Sequence, residues 1–444
     1  MQLPSVNLSR LQQLFQWIAR PYDFLDECAE KYGDIFIAQL FGFPPMVIIS
    51  NPQAIKEIFA VDAKQFDAGR GQQILKPLLG ENSLILLDGD RHKRDRKLLM
   101  PPFHGAKVKA YGDTICQITR EVSNTWQPQQ PFLASEAMAE ITLEVILQTV
   151  FGLREGDRYQ QLKSLLIALL DATGTPLSAS MLFFPWLQKD WGSWSPWGKI
   201  MRQRRQIYNL LQQEIEERRG QPETAGDDIL SLMLSARDED GQAMTDIELK
   251  DELMTLLVAG HETTASVLTW ALYWIHKLPE VKDKLLTELA GFEEGTDCMA
   301  AAHLPYLTAV ASETLRIYPI APITSPRIAT QKVTIIDHAF PPETVLAPSM
   351  YALHHREDLY PEPKQFKPER FLERQFSPSE FMPFGGGNRR CLGYALAKLE
   401  INLVLATILK HCSLRLADEQ PVTPRRRGVL VAASSGIPLV LKSR

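Results

Sequence analysis

The chain has 444 residues, with 48 Lys+Arg against 53 Asp+Glu and a formal net charge of −5. Apolar residues make up 45% and charged residues 23%, the balance of an ordinary globular protein, and the lack of a basic excess argues against nucleic acid as a partner. The length allows one large domain or two joined ones, but no repeat or low-complexity linker divides it, so 1–444 reads as a single domain.

The N-terminus, MQLPSVNLSRLQQLFQWIAR, carries two uncharged runs around Arg10, each about half the ~20 residues a bilayer span needs. Neither a transmembrane anchor nor a signal peptide is read there, and a cytoplasmic location is expected. IFIAQLF (35–41) and MVIIS (46–50) are β-rich runs joined by GFPP, a hairpin signal. From about Pro52 to Glu288 the periodicity is mostly helical, clearest in 160–172, 199–220 and 245–277. Between the first two, FFPWLQKDWGSWSPW (183–197) holds four of the eight tryptophans within 12 residues. It reads either as a folded-over local core or as a lid that touches lipid.

The 245–277 stretch is long enough to cross the molecule, and Thr245 followed by Glu248 is a capping signature at its start. Midway lies AGHETT (259–264). His261-Glu262 begins the HExxH of a zinc protease, but position 265 is Ala, so that reading fails. The hydroxyl of Thr263 is spaced to bond back to the carbonyl of Ala259. In ASETLRIYP (311–319), Glu313 and Arg316 share a helix face, and Tyr318-Pro319 ends the helix. Beyond it the chain turns irregular, with short strands such as VTII (333–336), then a helix after Cys391 and a β-like tail. The fold class is mainly α with a minor β part. Strands are expected mainly in about 30–55, 325–350 and 415–444, and helices in about 56–320 and 391–412.

The five cysteines, Cys28, Cys116, Cys298, Cys391 and Cys412, form no CxxC pair and no disulfide frame, which suits a reducing compartment. Cys391 stands apart because of its setting, FGGGNRRCLG (384–393). Glycines let the backbone take positive φ and approach a flat object closely. The cysteine comes just before a helical pattern, where free amides and the helix dipole favour a thiolate. A thiolate serves as nucleophile, redox group or metal ligand. No His base lies in the segment, and the arginines suit carboxylates. A glycine-floored thiolate beside arginine fits an iron porphyrin, with sulfur on the iron and arginine on a propionate. The plain alternative is a glycine-rich turn with a structural cysteine.

The spacing F-x-x-G-x-R-x-C-x-G, carried by Phe384, Gly387, Arg389, Cys391 and Gly393, resembles the haem-binding loop of the cytochrome P450 family. AGHETT resembles that family's oxygen-binding motif through Ala259, Gly260, Glu262 and Thr263. Glu313 and Arg316 resemble its E-x-x-R pair, and FKPERF (366–371) supplies a third member, Arg370. DGDRHKRDRKLLMPPFH (88–104) resembles its third helix, with His92 and Arg96 where W-x-x-x-R is usual, and Arg327 matches a further propionate-binding arginine.

The resemblance implies a triangular helical prism around a buried haem b, with Cys391 as iron ligand. His92, Arg96, Arg327, Arg389, Phe384 and Ala259 would contact the cofactor. Glu262 and Thr263 would relay protons, and Gly260 would leave room for O2. The Glu313–Arg316–Arg370 cluster would be structural. The implied activity is a monooxygenase, in the style of bacterial and especially cyanobacterial members related to fatty-acid hydroxylases. It would insert one atom of O2 into an apolar fatty-acid, terpenoid or steroid-like substrate. That substrate would lie against Leu78–Leu86, Val258, Ala259, Pro322-Ile323 and Val429-Leu430. Electrons would come from an acidic ferredoxin or flavodoxin with its reductase, docking on Arg91, Lys93, Arg94, Lys97, Arg390 and Lys398. A monomer is expected. A haem-thiolate isomerase or peroxygenase, and a haem sensor without turnover, are the competing classes.

Overall fold

The computed structural model describes residues 3–61, 65–174, 181–182, 184, 187–192, 194–220, 226, 228–291 and 298–444. Two helices, α1 (Arg10–Ala19) and α2 (Pro21–Tyr32), open it. Ser9 and Gln12 form a capping box on α1. The expected hairpin follows as β1 (Ile35–Ala38) and β2 (Met46–Ile49), and Asn51 then caps α3 (Pro52–Ala60).

The helical body comprises α4 (Gly89–Leu99), α5 (Gly112–Thr125), α6 (Ala134–Phe151), α7 (Asp157–Gly174), α8 (Pro196–Gly220), α9 (Asp246–Lys277), α10 (Pro305–Ile317) and α11 (Tyr394–His411). Its axis is α9. The capping box expected there is present: Glu248 N donates to Thr245 Oγ1 at 3.4 Å, and Thr245 N donates to Glu248 Oε2 at 2.7 Å. Leu253, Met254, Leu257, Trp270 and Leu272 are all buried, so α9 is mostly a core helix rather than an amphipathic surface helix, with Ile247 and Ala259 left exposed. Helices α6 and α11 pack along it. Gly260 explains the close approach of α6, since a Cβ there would lie 2.8 Å from Ile146 Cδ1. The same glycine is the one that the family resemblance assigned to room for O2, and helix packing is a second reason for it.

Strands from distant parts of the chain meet beside this body. One sheet has the order β1-β2-β8-β5-β3, with β3 at Phe66–Asp67, β5 at Arg327–Ala329 and β8 at Val345–Pro348, and β2 pairs parallel with β8. A second runs β4-β12-β9, formed by Pro131–Leu133, Pro438–Ser443 and Ser413–Leu416. Two-stranded hairpins join β6 (Val333–Ile335) to β7 (His338–Phe340), and β10 (Pro424–Arg427) to β11 (Leu430–Ala433). Strands β3 and β4 interrupt the stretch expected to be helical. Both are short and find their partners far away, so local periodicity carries no sign of them.

Trp197 is buried at the start of α8, whereas Trp191 and Trp194 are exposed and stack at 5.9 Å. The tryptophan-rich segment is thus part core and part surface; Trp186 in it, like the side chain of Cys298, lies outside the described residues. Among the described residues, no helix is long and apolar enough to cross a membrane.

Candidate functional site

The glycine loop ahead of α11 closes on itself, with Cys391 N donating to the carbonyl of Phe384 at 2.9 Å. Gly385 and Gly387 have φ of +66° and +64°, left-handed values that favour glycine. Gly386 is needed for a different reason, close approach, since a Cβ there would lie 2.1 Å from the Phe59 ring of α3. Phe384 is half-buried, 6.3 Å from the Tyr394 ring.

Cys391, just ahead of α11, is solvent-accessible, and so is Ala259 midway along α9, which packs against α11. Burial pushes the Cys391 thiol up, outweighing the Gly393 amide and the Arg96 and Arg390 guanidiniums, which pull it down. The expected thiolate is therefore not produced by the helix N-terminus alone. A metal cation on the sulfur would have to complete the deprotonation.

Four basic groups converge near this loop. His92 is buried, and burial, then Arg389, Arg96 and Arg327, lower it to about 3. Arg327 falls to about 10 through burial and then Arg389, against Asp88. Burial also lowers Arg389 and Arg96. Their bonds to the protein are few. Arg96 Nη2 donates to the Arg390 carbonyl at 2.8 Å, and Arg327 Nη2 donates to that of Gly386 at 3.1 Å. Arg389 pairs with Asp88, and its Nε is buried with no hydrogen-bond partner. Asp88 also accepts the amides of Ala68, Gly69 and Arg70 at 2.8, 2.8 and 3.0 Å, tying the chain before α4 to the glycine loop. Sequence reasoning missed it because its partners are backbone amides. Three crowded guanidiniums, with Asp88 bonded to one of them and Asp67 acting from farther off, are short of negative charge. Two carboxylates on a flat ligand would meet that need, so the residues present fit haem b.

On α9, Thr263 Oγ1 donates to the Ala259 carbonyl at 2.7 Å, as its spacing predicted. Glu262 lies 4.0 Å from Arg427 Nε at the end of β10. Burial raises the Glu262 carboxyl's pKa, Arg427 lowers it and Asp171 raises it. The neighbouring His261 is buried against Thr142 Oγ1 at 2.9 Å and held neutral, lowered to about 4 by burial and then Arg427.

The loop is buttressed from α10. Arg316 meets Glu313 through both carboxylate oxygens, at 2.7 and 2.8 Å, with neither side chain exposed. Arg370 reaches the same carboxylate at 3.3 Å, as the resemblance implied. Arg316 Nη1 also donates to the His354 carbonyl at 2.7 Å, and His354 Nε2 accepts from Met382 N at 3.0 Å. His354 thus carries the cluster's support to the residue two before Phe384. Nothing in the sequence singled it out.

The expected basic patch is partly ion-paired. Arg94 is bound by Asp238, Asp95 and Glu248 at 2.7, 2.7 and 3.5 Å, Arg91 by Glu248 at 3.6 Å, and Lys97 by Glu239 at 2.7 Å. Acids from 238–248 neutralise most of α4 because the chain returns over it just before α9. Arg91 and Lys97 stay exposed within these pairs, and Lys93, Arg390 and Lys398 are exposed as well. Of the expected lining, Leu78, Leu79, Leu84, Leu86 and Pro322 are buried, and Val258, Ile323, Val429 and Leu430 are half-buried. A groove of about 840 Å³ opens beside them, with Phe43, Ile74, Leu182, Met201 and Ile247 among its apolar walls.

The sequence model of the cytochrome P450 family matches residues 2–440. Cytochrome P450 135B1 of Mycobacterium tuberculosis is 36% identical over 437 residues, covering 98% of this chain and 90% of the relative. Cytochrome P450 135A1 of the same species is 32% identical, covering 99% and 94%. The retinoic-acid-bound cyanobacterial CYP120A1 shares the fold at TM-score 0.83 and 24% identity, over 100% of this chain and 99% of that one. The haem domain of cytochrome P450DA does so at 0.85 and 21%, covering 100% and 98%. The motif resemblance thus extends to the whole sequence and the whole architecture, and the chain belongs to the cytochrome P450 family, whose members are generally haem-thiolate monooxygenases.

Proposed function

We propose that this enzyme inserts one oxygen atom of O2 into an apolar organic substrate of fatty-acid, terpenoid or steroid size. The observation that carries the reading is the accessible Cys391 thiol beside a buried cluster of guanidiniums short of anions. Cys391 would ligate the haem iron, and Arg96, Arg327, Arg389 and neutral His92 would hold the propionates. Phe384 and Ala259 would contact the ring. Bound haem supplies the activation of O2 with electrons from a separate donor.

The chain's own part on α9 is proton supply. The hydroxyl of Thr263, engaged as donor to Ala259 O, keeps its lone pairs free to accept a hydrogen bond from a water or bound group. Glu262, whose carboxyl binds its proton more readily than an exposed glutamate's, is the adjacent source. An isomerase, a peroxygenase or a sensor would have no use for this pair.

Apolar side chains at Leu78–Leu86 favour apolar ligands, and the groove beside them adds Lys76, Glu81, Arg204 and Asp251 to its apolar walls, which suits an apolar molecule with a polar end. Retinoic acid, bound by the cyanobacterial neighbour, is such a molecule. An acidic ferredoxin or flavodoxin with its reductase fits the exposed Lys93, Arg390 and Lys398. The reading carries with it a cytoplasmic, monomeric, single-domain enzyme.

The test supplies NADPH, a surrogate ferredoxin and its reductase, and scans apolar acids and terpenoids for a shift of the haem absorption band. Ligands that shift it should yield product carrying one atom of ¹⁸O from ¹⁸O₂. Band shifts confined to small charged compounds, or product without ¹⁸O, would refute the assignment.

A further inference from the structure

Glu262 is not isolated on α9. Arg427, the last residue of β10, brings its Nε to 4.0 Å from Glu262 Oε1 and its Nη2 to 3.7 Å from Asp171 Oδ1 on α7. One guanidinium thus spans three elements that are far apart in sequence. The Arg427 and Asp171 side chains are 50% and 68% exposed, whereas that of Glu262 is 23% exposed, so the line of charges runs from bulk solvent inward. Gly174, in the last turn of α7, leaves the guanidinium its path: a Cβ there would stand 3.3 Å from Arg427 Nε. Gly428, at φ +61°, turns the hairpin immediately after Arg427. Both contacts are single-point and long for an ion pair, so the carboxyl is restrained without being locked.

We propose that Arg427 and Asp171 are positioning residues for Glu262: the guanidinium, tethered to α7 by Asp171, holds the Glu262 carboxyl on the solvent side of α9, where it is recharged with protons from water. The tether makes the position of α7 a determinant of proton supply, because displacing Asp171 displaces the guanidinium that orients the acid. This rests on the reading of Glu262 as proton source. Arg427 and Asp171 are the two charged groups that act on Glu262, one from the hairpin and one from α7, and they act in opposite directions.

That opposition supplies a test whose main readout is not turnover. In infrared difference spectra of the haem-loaded protein, the protonated carboxyl band lost in Glu262→Gln identifies the group. Its titration midpoint should rise by roughly 0.5–1 pH unit in Arg427→Gln, rise as well in Asp171→Asn, where the untethered guanidinium leaves the carboxyl, and return to the wild-type value in Arg427→Lys; a fall in Asp171→Asn would mean that Asp171 acts only through its own charge and would overturn the tether. Product formed per NADPH should fall in Arg427→Gln while the substrate-induced haem band shift is kept. Should Arg427→Gln not fold, Gly174→Ala crowds the guanidinium off the same spot and should also raise the midpoint. Midpoints unmoved by these substitutions, with Glu262→Gln still diverting NADPH to peroxide, would overturn the positioning role and leave the monooxygenase reading standing. A Glu262→Gln variant with unaltered product per NADPH would instead remove the proton-source reading beneath it.

Discussion

Four of the five N–H donors of the Arg316 guanidinium are spoken for: Glu313 takes two, and the carbonyls of His354 and Gln365 take two more at 2.7 and 3.3 Å. A charge so enclosed is tolerated only with its partner. Removing one member of a buried pair costs ~3–5 kcal/mol, because the survivor stays desolvated and unpaired. Glu313→Ala or Arg316→Ala should therefore yield little haem-loaded protein and a clearly lower Tm. A haem-replete variant of normal thermal stability would show the cluster to be dispensable. Thr263→Ala poses the opposite case. The hydroxyl makes one local bond and supports no packing, so folding and substrate binding should persist. Product per NADPH should drop and peroxide rise, with the coupled rate falling on the order of 10²-fold. At Cys391, replacement by His should abolish the red-shifted absorption band of the reduced carbon monoxide adduct, whereas Cys28→Ser and Cys412→Ser should keep it.

Helix α4 shows what an element's own residues reveal and what they hide. Its basic run suggested a docking face, yet Arg94 alone touches three acids, two of them from 238–248. Arg94→Glu should act on stability, lowering the unfolding midpoint, more than on the association rate with an acidic donor. Charge reversal at Lys93 or Lys398 should slow reduction at low salt and lose that effect as ionic strength rises. Reduction rates indifferent to both would leave these lysines as ordinary surface. The legible parts of the molecule are those whose cause is local. The capping box at Thr245, the bond from Thr263 to Ala259 and the i,i+3 pair at Glu313 are set by residues within one turn. Asp88, His354 and Arg427 act through groups dozens or hundreds of positions away. No spacing rule reaches them. Gly260 lies between these cases: its need for a missing side chain was readable, but its neighbour Ile146 was not.

At the scale of the molecule, Arg96, Arg327 and Arg389 belong to three separate segments that the fold forces together. Without anionic partners their convergence is a cost borne by the whole structure. Haem removal should therefore leave a protein whose Tm rises with added phosphate, by the mass action of anions that bind only the folded state. The loaded protein should respond little. A haem-free chain as indifferent to phosphate as the loaded one would mean that the cations are spaced too widely to share an anion.

The sheet β4-β12-β9 has a consequence in time. Strand β12 lies in its middle, between Pro131–Leu133 and Ser413–Leu416. While the chain emerges from a ribosome, β4 has no partner until residues 438–443 appear. The other sheet waits as well, since β2 needs β8. The N-terminal segments thus spend most of synthesis with unpaired strand edges, at ~5–20 residues per second. The glycine loop and α4 likewise meet only after translation has passed Cys391. Cofactor capture is therefore a late event, and nascent chains stalled before residue 391 should retain no haem however long they are held.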